Sequence, residues 1–99
     1  MIRSDNFVLI QGWMVTDLKL KGLDLMVFAI IYSFSQDPDQ MFTGTVSYLQ
    51  EWTNASNAGI RKCLNRLIDQ QLIMKFVDDR DRVIKVSYCY NYRKIKRPL

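Results

Sequence analysis

The sequence contains no histidine. That excludes histidine acid–base catalysis, Ser-His and Cys-His nucleophile pairs, and histidine metal sites. Its two cysteines, Cys63 and Cys89, are too few for a disulfide scaffold or a four-thiolate zinc site. Both read as reduced thiols, the expectation for a cytoplasmic protein. With two Pro and four Gly, the chain is not a linker, and 48% apolar and 24% charged residues exclude disorder. Long hydrophobic runs are also missing. The longest, Leu23 to Phe34, spans 12 residues and is broken by Asp24 and Ser33, whereas a bilayer crossing takes about 20. The first residues lack a small-residue cleavage pattern, so neither a signal peptide nor a membrane partner is expected. There is no phosphate-binding glycine loop and no metal-ligand spacing. The expectation is a non-enzyme with no cofactor, no metal and no small-molecule substrate.

What the sequence does have is charge asymmetry. The 99 residues, enough for one domain, carry 14 basic and 10 acidic groups, net +4. Residues 1–59 hold three basic groups against six acids, or −3, and residues 60–99 hold eleven against four, or +7. One basic half suits a polyanion, although a merely solvated basic surface gives the same count.

Phe7 to Ile10 reads as a strand or extended arm, ended by Gln11-Gly12. Trp13 to Leu18 shows no clear period. The spacing predicts a helix from Leu23 to Ser35, stopped before Gln36-Asp37-Pro38-Asp39 because Pro38 disfavours helix at Asp37. This helix is apolar on nearly every side, so it should be the hub of the core, with part of it and the arm free to face a second subunit. Met41 to Thr43 suggests a very short strand. Thr45 should cap a short helix from Val46 to Glu51 or Trp52. After a tight turn at Thr53-Asn54-Ala55, Ser56 should cap a third helix from Asn57 to about Gln70. Ile60, Cys63, Leu64, Leu67 and Ile68 give that helix one apolar stripe. Leu72 to Val77 and Val83 to about Tyr92 read as two strands of a hairpin around the polar turn Asp78 to Arg82. Residues 93–99 form a basic tail, so the domain is expected to span 1–92, with the tail starting a linker. The order is that of a winged helix-turn-helix: α+β, mainly α, with an N-terminal extended arm and a C-terminal β-hairpin wing.

A short helix, a tight turn and a longer helix with a basic outer face suit the major groove, which admits one helix. The candidate DNA contacts are Ser56, Asn57, Ala58, Arg61, Lys62, Asn65 and Arg66. Arg can bridge two guanine acceptors and Asn can pair with adenine. The plainer reading of these residues is the wet face of an amphipathic helix, with Ser56 a cap in either case. Arg80 and Arg82 on the turn, and Arg93 and Lys94 in the tail, are candidate phosphate contacts, although Asp78, Asp79 and Asp81 would repel phosphate. Tyr88, Tyr90 and Tyr92 share a strand face that suits core or dimer packing better than base stacking. Candidate self-association residues are Phe7, Leu9, Trp13 and Phe28, which favours a homodimer.

Ile10-Gln11-Gly12-Trp13-Met14, Leu20-Lys21-Gly22 and Ile31 to Asp37 resemble the N-terminal domain of replication proteins from Gram-positive bacteria, their plasmids and phages. Phe42-Thr43-Gly44, Tyr48-Leu49, Trp52-Thr53-Asn54 and Leu64-Asn65-Arg66-Leu67 continue the likeness to this replication initiator A N-terminal and DnaD-like group. It covers about Phe7 to Tyr92. Ile60 to Leu64 through Ile73 also resembles a general regulator recognition helix, in which Gly often stands at the Gln71 position. The resemblance implies a double-stranded DNA-binding domain at the front of a longer replication initiator or replisome organiser, with self-association through the arm and contacts to other replication proteins. Alternatives are a winged-helix transcription regulator and a protein–protein assembly module of a primosome.

Overall fold

The computed structural model describes residues 2, 4–36, 41–80, 82 and 85–95. The order is α1 (Gly12–Thr16), α2 (Gly22–Phe34), α3 (Val46–Thr53), α4 (Asn57–Asp69), β1 (Ile73–Asp78) and β2 (Lys85–Tyr90). The fold is α+β and mainly helical. The expected turn at Asp37-Pro38-Asp39, Asp81, the start of the second strand at Val83-Ile84, and Lys96 and Arg97 lie outside the described residues. No helix among the described residues is long and apolar enough to cross a membrane.

The run that made α2 apolar all round also buries it. Val27, Phe28, Ala29, Ile30, Ile31 and Tyr32 are six consecutive buried residues. Each large side chain of this kind contributes about 1.5–3 kcal/mol when removed from water. Four elements cover the helix: α1, α3, α4 and β2. The helix ends on Ser35, the only buried polar side chain among the described residues. Its Oγ donates to the Ile31 carbonyl at 2.6 Å and accepts the Tyr90 N–H at 3.3 Å. One hydroxyl thus ties off the helix and joins it to β2.

α1 is an element that periodicity missed, because five residues make less than two turns. It places Met14 in the core and sets Trp13 edge-on to Phe28 and Tyr32, with ring centroids 6.1 and 5.1 Å apart. The caps follow the sequence. Thr45 Oγ1 accepts the Tyr48 N–H at 3.1 Å, and Ser56 Oγ accepts the Gly59 N–H at 3.0 Å.

β1 and β2 pair antiparallel, from Ile73 opposite Tyr90 to Asp78 opposite Lys85. Phe42 adds a single bridge on the other side of β2. Its N–H and carbonyl exchange hydrogen bonds with Tyr88 at 2.7 and 2.8 Å. The expected short strand at Met41–Thr43 is therefore one bridging residue. β2 stops at Tyr90, earlier than expected, because Asn91 turns the chain. The Asn91 carbonyl accepts the N–H groups of Lys94 and Ile95, and its side-chain amide donates to the Gln71 carbonyl at 2.8 Å. Ile95 packs in the core, so the fold continues past residue 92, where the tail was expected to begin.

α4 ends in a Schellman motif. The Leu72 N–H reaches the Leu67 carbonyl at 3.0 Å, and the Gln71 N–H reaches the Ile68 carbonyl at 2.9 Å. The motif places its closing residue in the left-handed region, and Gln71 has φ 62°. A side chain there costs about 1–2 kcal/mol relative to the right-handed region. Gln71→Gly should therefore stabilise the fold by about 1 kcal/mol, seen as a higher urea midpoint with an unchanged slope. Gly44 presents the opposite case. A Cβ there would overlap the buried Phe42 ring, with two ring carbons at 2.8 and 3.1 Å and Cζ closer still. Gly44→Ala should destabilise by about 1–3 kcal/mol, as overpacking does, read in the same urea titration.

Candidate nucleic-acid interface

The turn between α3 and α4 is held from both sides. Asn54 closes α3 in the left-handed region at φ 57°. Its N–H donates to the Gln50 carbonyl at 2.7 Å, the Gln50 side chain donates to the Ala55 carbonyl at 3.1 Å, and the Ala55 N–H donates to Thr53 Oγ1 at 3.2 Å. These bonds fix the direction in which α4 leaves the turn. The stripe Ile60, Cys63, Leu64 and Leu67 is buried. Ser56, Asn57, Ala58, Arg61, Lys62 and Asn65 are all exposed, with Ala58, Lys62 and Asn65 opposite the stripe and Arg61 on its flank. Arg61 Nε donates to Asn57 Oδ1 at 2.7 Å, so two of these side chains already hold one another.

Arg66, expected among the DNA contacts, is tied to α2 instead. Its Nη2 and Nε donate to the two Asp24 carboxylate oxygens at 2.7 and 3.1 Å. This bidentate hydrogen bonding holds the Asp24 carboxyl below its ordinary value, against the opposing effect of burial and with help from the Cys63 thiol. Burial, reinforced by Asp24, pushes the Cys63 thiol up to about 12. That thiol stays protonated and has no nucleophilic character at neutral pH. Burial also raises the Cys89 thiol.

The expected hairpin and tail contacts divide in a similar way. Arg80 Nε and Nη2 each donate to Asp78 at 3.0 Å, and the Arg80 N–H donates to the same carboxylate at 3.2 Å. Arg82 and Arg93 are exposed. Lys94 Nζ donates to the Gln70 carbonyl at 2.9 Å. That caps the C-terminal end of α4, about 20 Å along a 13-residue helix from Ser56. Lys94 is therefore at the wrong end of α4 to join the residues near Ser56.

Sequence reasoning missed a groove of about 530 Å³ between the start of α3, α4 and the hairpin. Thr43, Thr45, Arg61, Lys75, Ser87 and Tyr88 line it, with Asp78 at one side. Arg61 bears directly on the Tyr88 phenol: burial raises that hydroxyl and the Arg61 cation opposes the rise. Lys75 carried a weak signal, a lone cation within an apolar strand. Nothing local linked it to Arg61.

The candidate self-association residues separate by burial. Phe7 and Leu9 are 78% and 63% exposed, whereas Phe28 is 0% exposed and cannot form a surface. Its assignment to self-association is corrected, because the side of α2 that carries Phe28 is covered by Trp13 and Tyr32. Trp13 is half-buried in the same cluster. Tyr88 and Tyr90 pack against the core, Tyr90 on Tyr32 at 4.7 Å, whereas Tyr92 is exposed. Among the described residues no group of three or more His, Cys, Asp or Glu side chains could hold a metal. No family model, curated protein or solved structure matches the chain.

Folding lowers the Asp24 pKa from its ordinary 3.8. Its contribution to stability is therefore complete above that value and is lost as pH falls through the lower folded value. Asp24→Asn should lower the melting temperature at pH 7 and flatten the acid limb of the stability–pH curve, measured by thermal denaturation between pH 2 and 7.

Proposed function

We propose that this chain is a duplex-DNA-binding winged helix-turn-helix domain, with α4 entering the major groove and the β1–β2 hairpin lying beside it as the wing. One observation carries the reading. Asn57, Ala58, Arg61, Lys62 and Asn65 are exposed on the first turns of a helix that follows a rigid three-residue turn. A helix presented by its N-terminal turns matches how recognition helices reach base edges. The +7 charge of residues 60–99 supports a polyanionic partner. Within this reading Asn65 meets bases, Lys62 meets phosphate, and Arg66 positions the helix against α2. The resemblance to replication proteins of Gram-positive bacteria, plasmids and phages makes a replication initiator the role of choice.

A second reading, assembly through protein contacts, is favoured by one feature. Phe7, Leu9 and Ile10 of the arm are exposed beside Met26 and Phe34 of α2. Such a surface suits a homodimer or another replication protein. The two readings are compatible in one domain, but they differ in what they require of DNA.

Fluorescence anisotropy on random duplex and single-stranded DNA across a salt series tests the proposal. Four to six neutralised phosphates give a log–log slope of about −4 to −5 on duplex. Lys62→Glu should weaken duplex binding by at least about tenfold in a protein with an unchanged circular dichroism spectrum, the charge reversal removing one phosphate contact and adding a repulsion. A flat salt response leaves the assembly reading, with sedimentation as its measurement.

A further inference from the structure

A wing is expected to meet DNA at its tip, but here the tip is where charge is compensated. Asp78 and Arg80 satisfy one another through three hydrogen bonds, and Asp79 adds a further negative charge. A further cation of the hairpin lies lower, on its flank. Lys75 sits on β1 directly opposite Tyr88 of β2 and is exposed. Arg61 of α4 and Tyr88 line the same groove. Both cations line the groove between α4, the start of α3 and the hairpin.

We propose that this groove holds one backbone phosphate of duplex DNA, clamped between Arg61 and Lys75, so that the wing engages DNA by its flank and not by its tip. The inference rests on the DNA-binding reading above and adds the contact that reading leaves open. A phosphodiester carries one negative charge and two free acceptor oxygens. The Arg61 fork suits two oxygens and the Lys75 ammonium supplies a point charge. Asn57 already holds the Arg61 Nε at 2.7 Å, which lowers the ordering cost of the contact. Thr43, Thr45 and Ser87 line the remaining walls together with Gly44, Val46 and Val86. Thr45 and Val46 bring the N-terminal end of α3 to the groove, an end that favours negative charge. One carboxylate, Asp78, also lines the groove, and it accepts hydrogen bonds from Arg80.

The test is the salt dependence of duplex binding by the full 99-residue chain and its variants. Lys75→Gln should reduce the magnitude of the log–log slope by about 0.9, the increment for one phosphate. It should also weaken binding about fivefold to tenfold near 0.1 M salt, equally on duplexes of different sequence. Lys75→Arg should keep the slope, and Arg82→Gln at the tip should leave it unchanged. Matching thermal melts for these exposed positions would separate lost contact from lost fold. An unchanged slope in Lys75→Gln, with wild-type binding intact, overturns the clamp and leaves the DNA reading standing. A reduced slope in Arg82→Gln places the contact at the tip and also overturns the clamp. Wild-type protein that ignores duplex DNA removes both.

Discussion

Everything in this structure is arranged around the burial of α2. Six consecutive buried residues leave that helix no wet side along its middle turns. A chain of 99 residues must therefore spend most of its other elements on covering it. α1, α3, α4 and β2 each take a sector. The directions of α4 and the hairpin follow from this demand, because both are held against the same central helix. The exposed face of α4 is what remains after its apolar stripe has been committed to the core.

Two polar devices refine the arrangement. Ser35 joins the end of α2 to β2 with a single buried hydroxyl. Asp24 and Arg66 join the start of α2 to the last turn of α4. The second ties that turn to α2 through a bidentate pair, while the Arg66 side chain stays 49% exposed. The cations that stay outward, Arg61 and Lys62, lie nearer the N-terminal end.

Much of the fold was legible where local chemistry decides it. The caps at Thr45 and Ser56, the stripe from Ile60 to Leu67 and the hub character of Leu23 to Phe34 all rest on neighbours a few residues apart. What was not legible depends on distance or on missing phase. Phe28 was assigned to a surface because a helix apolar all round has no periodic signal to separate inside from outside; packing by Trp13 and Tyr32 decided it. Arg66 looked free because its partner Asp24 lies 42 residues away. Lys94 looked like part of a tail because nothing local shows that Asn91 turns the chain back to the end of α4. The face from Asn57 to Asn65 was readable, whereas the groove that joins Arg61 to Lys75 was not, since its walls come from four separate stretches.

That scattered origin has a kinetic consequence. The helices and the hairpin close over short loops and can form early. The Phe42–Tyr88 bridge joins residues 46 positions apart, and contacts of such separation carry the larger loop-closure cost. The groove is bounded by Thr43 on one side of that bridge and by Tyr88 on the other. It comes into being only when the chain has closed this long loop. An isolated peptide copying α4 would keep Lys62 and Asn65 on one face, but it would have no groove at all.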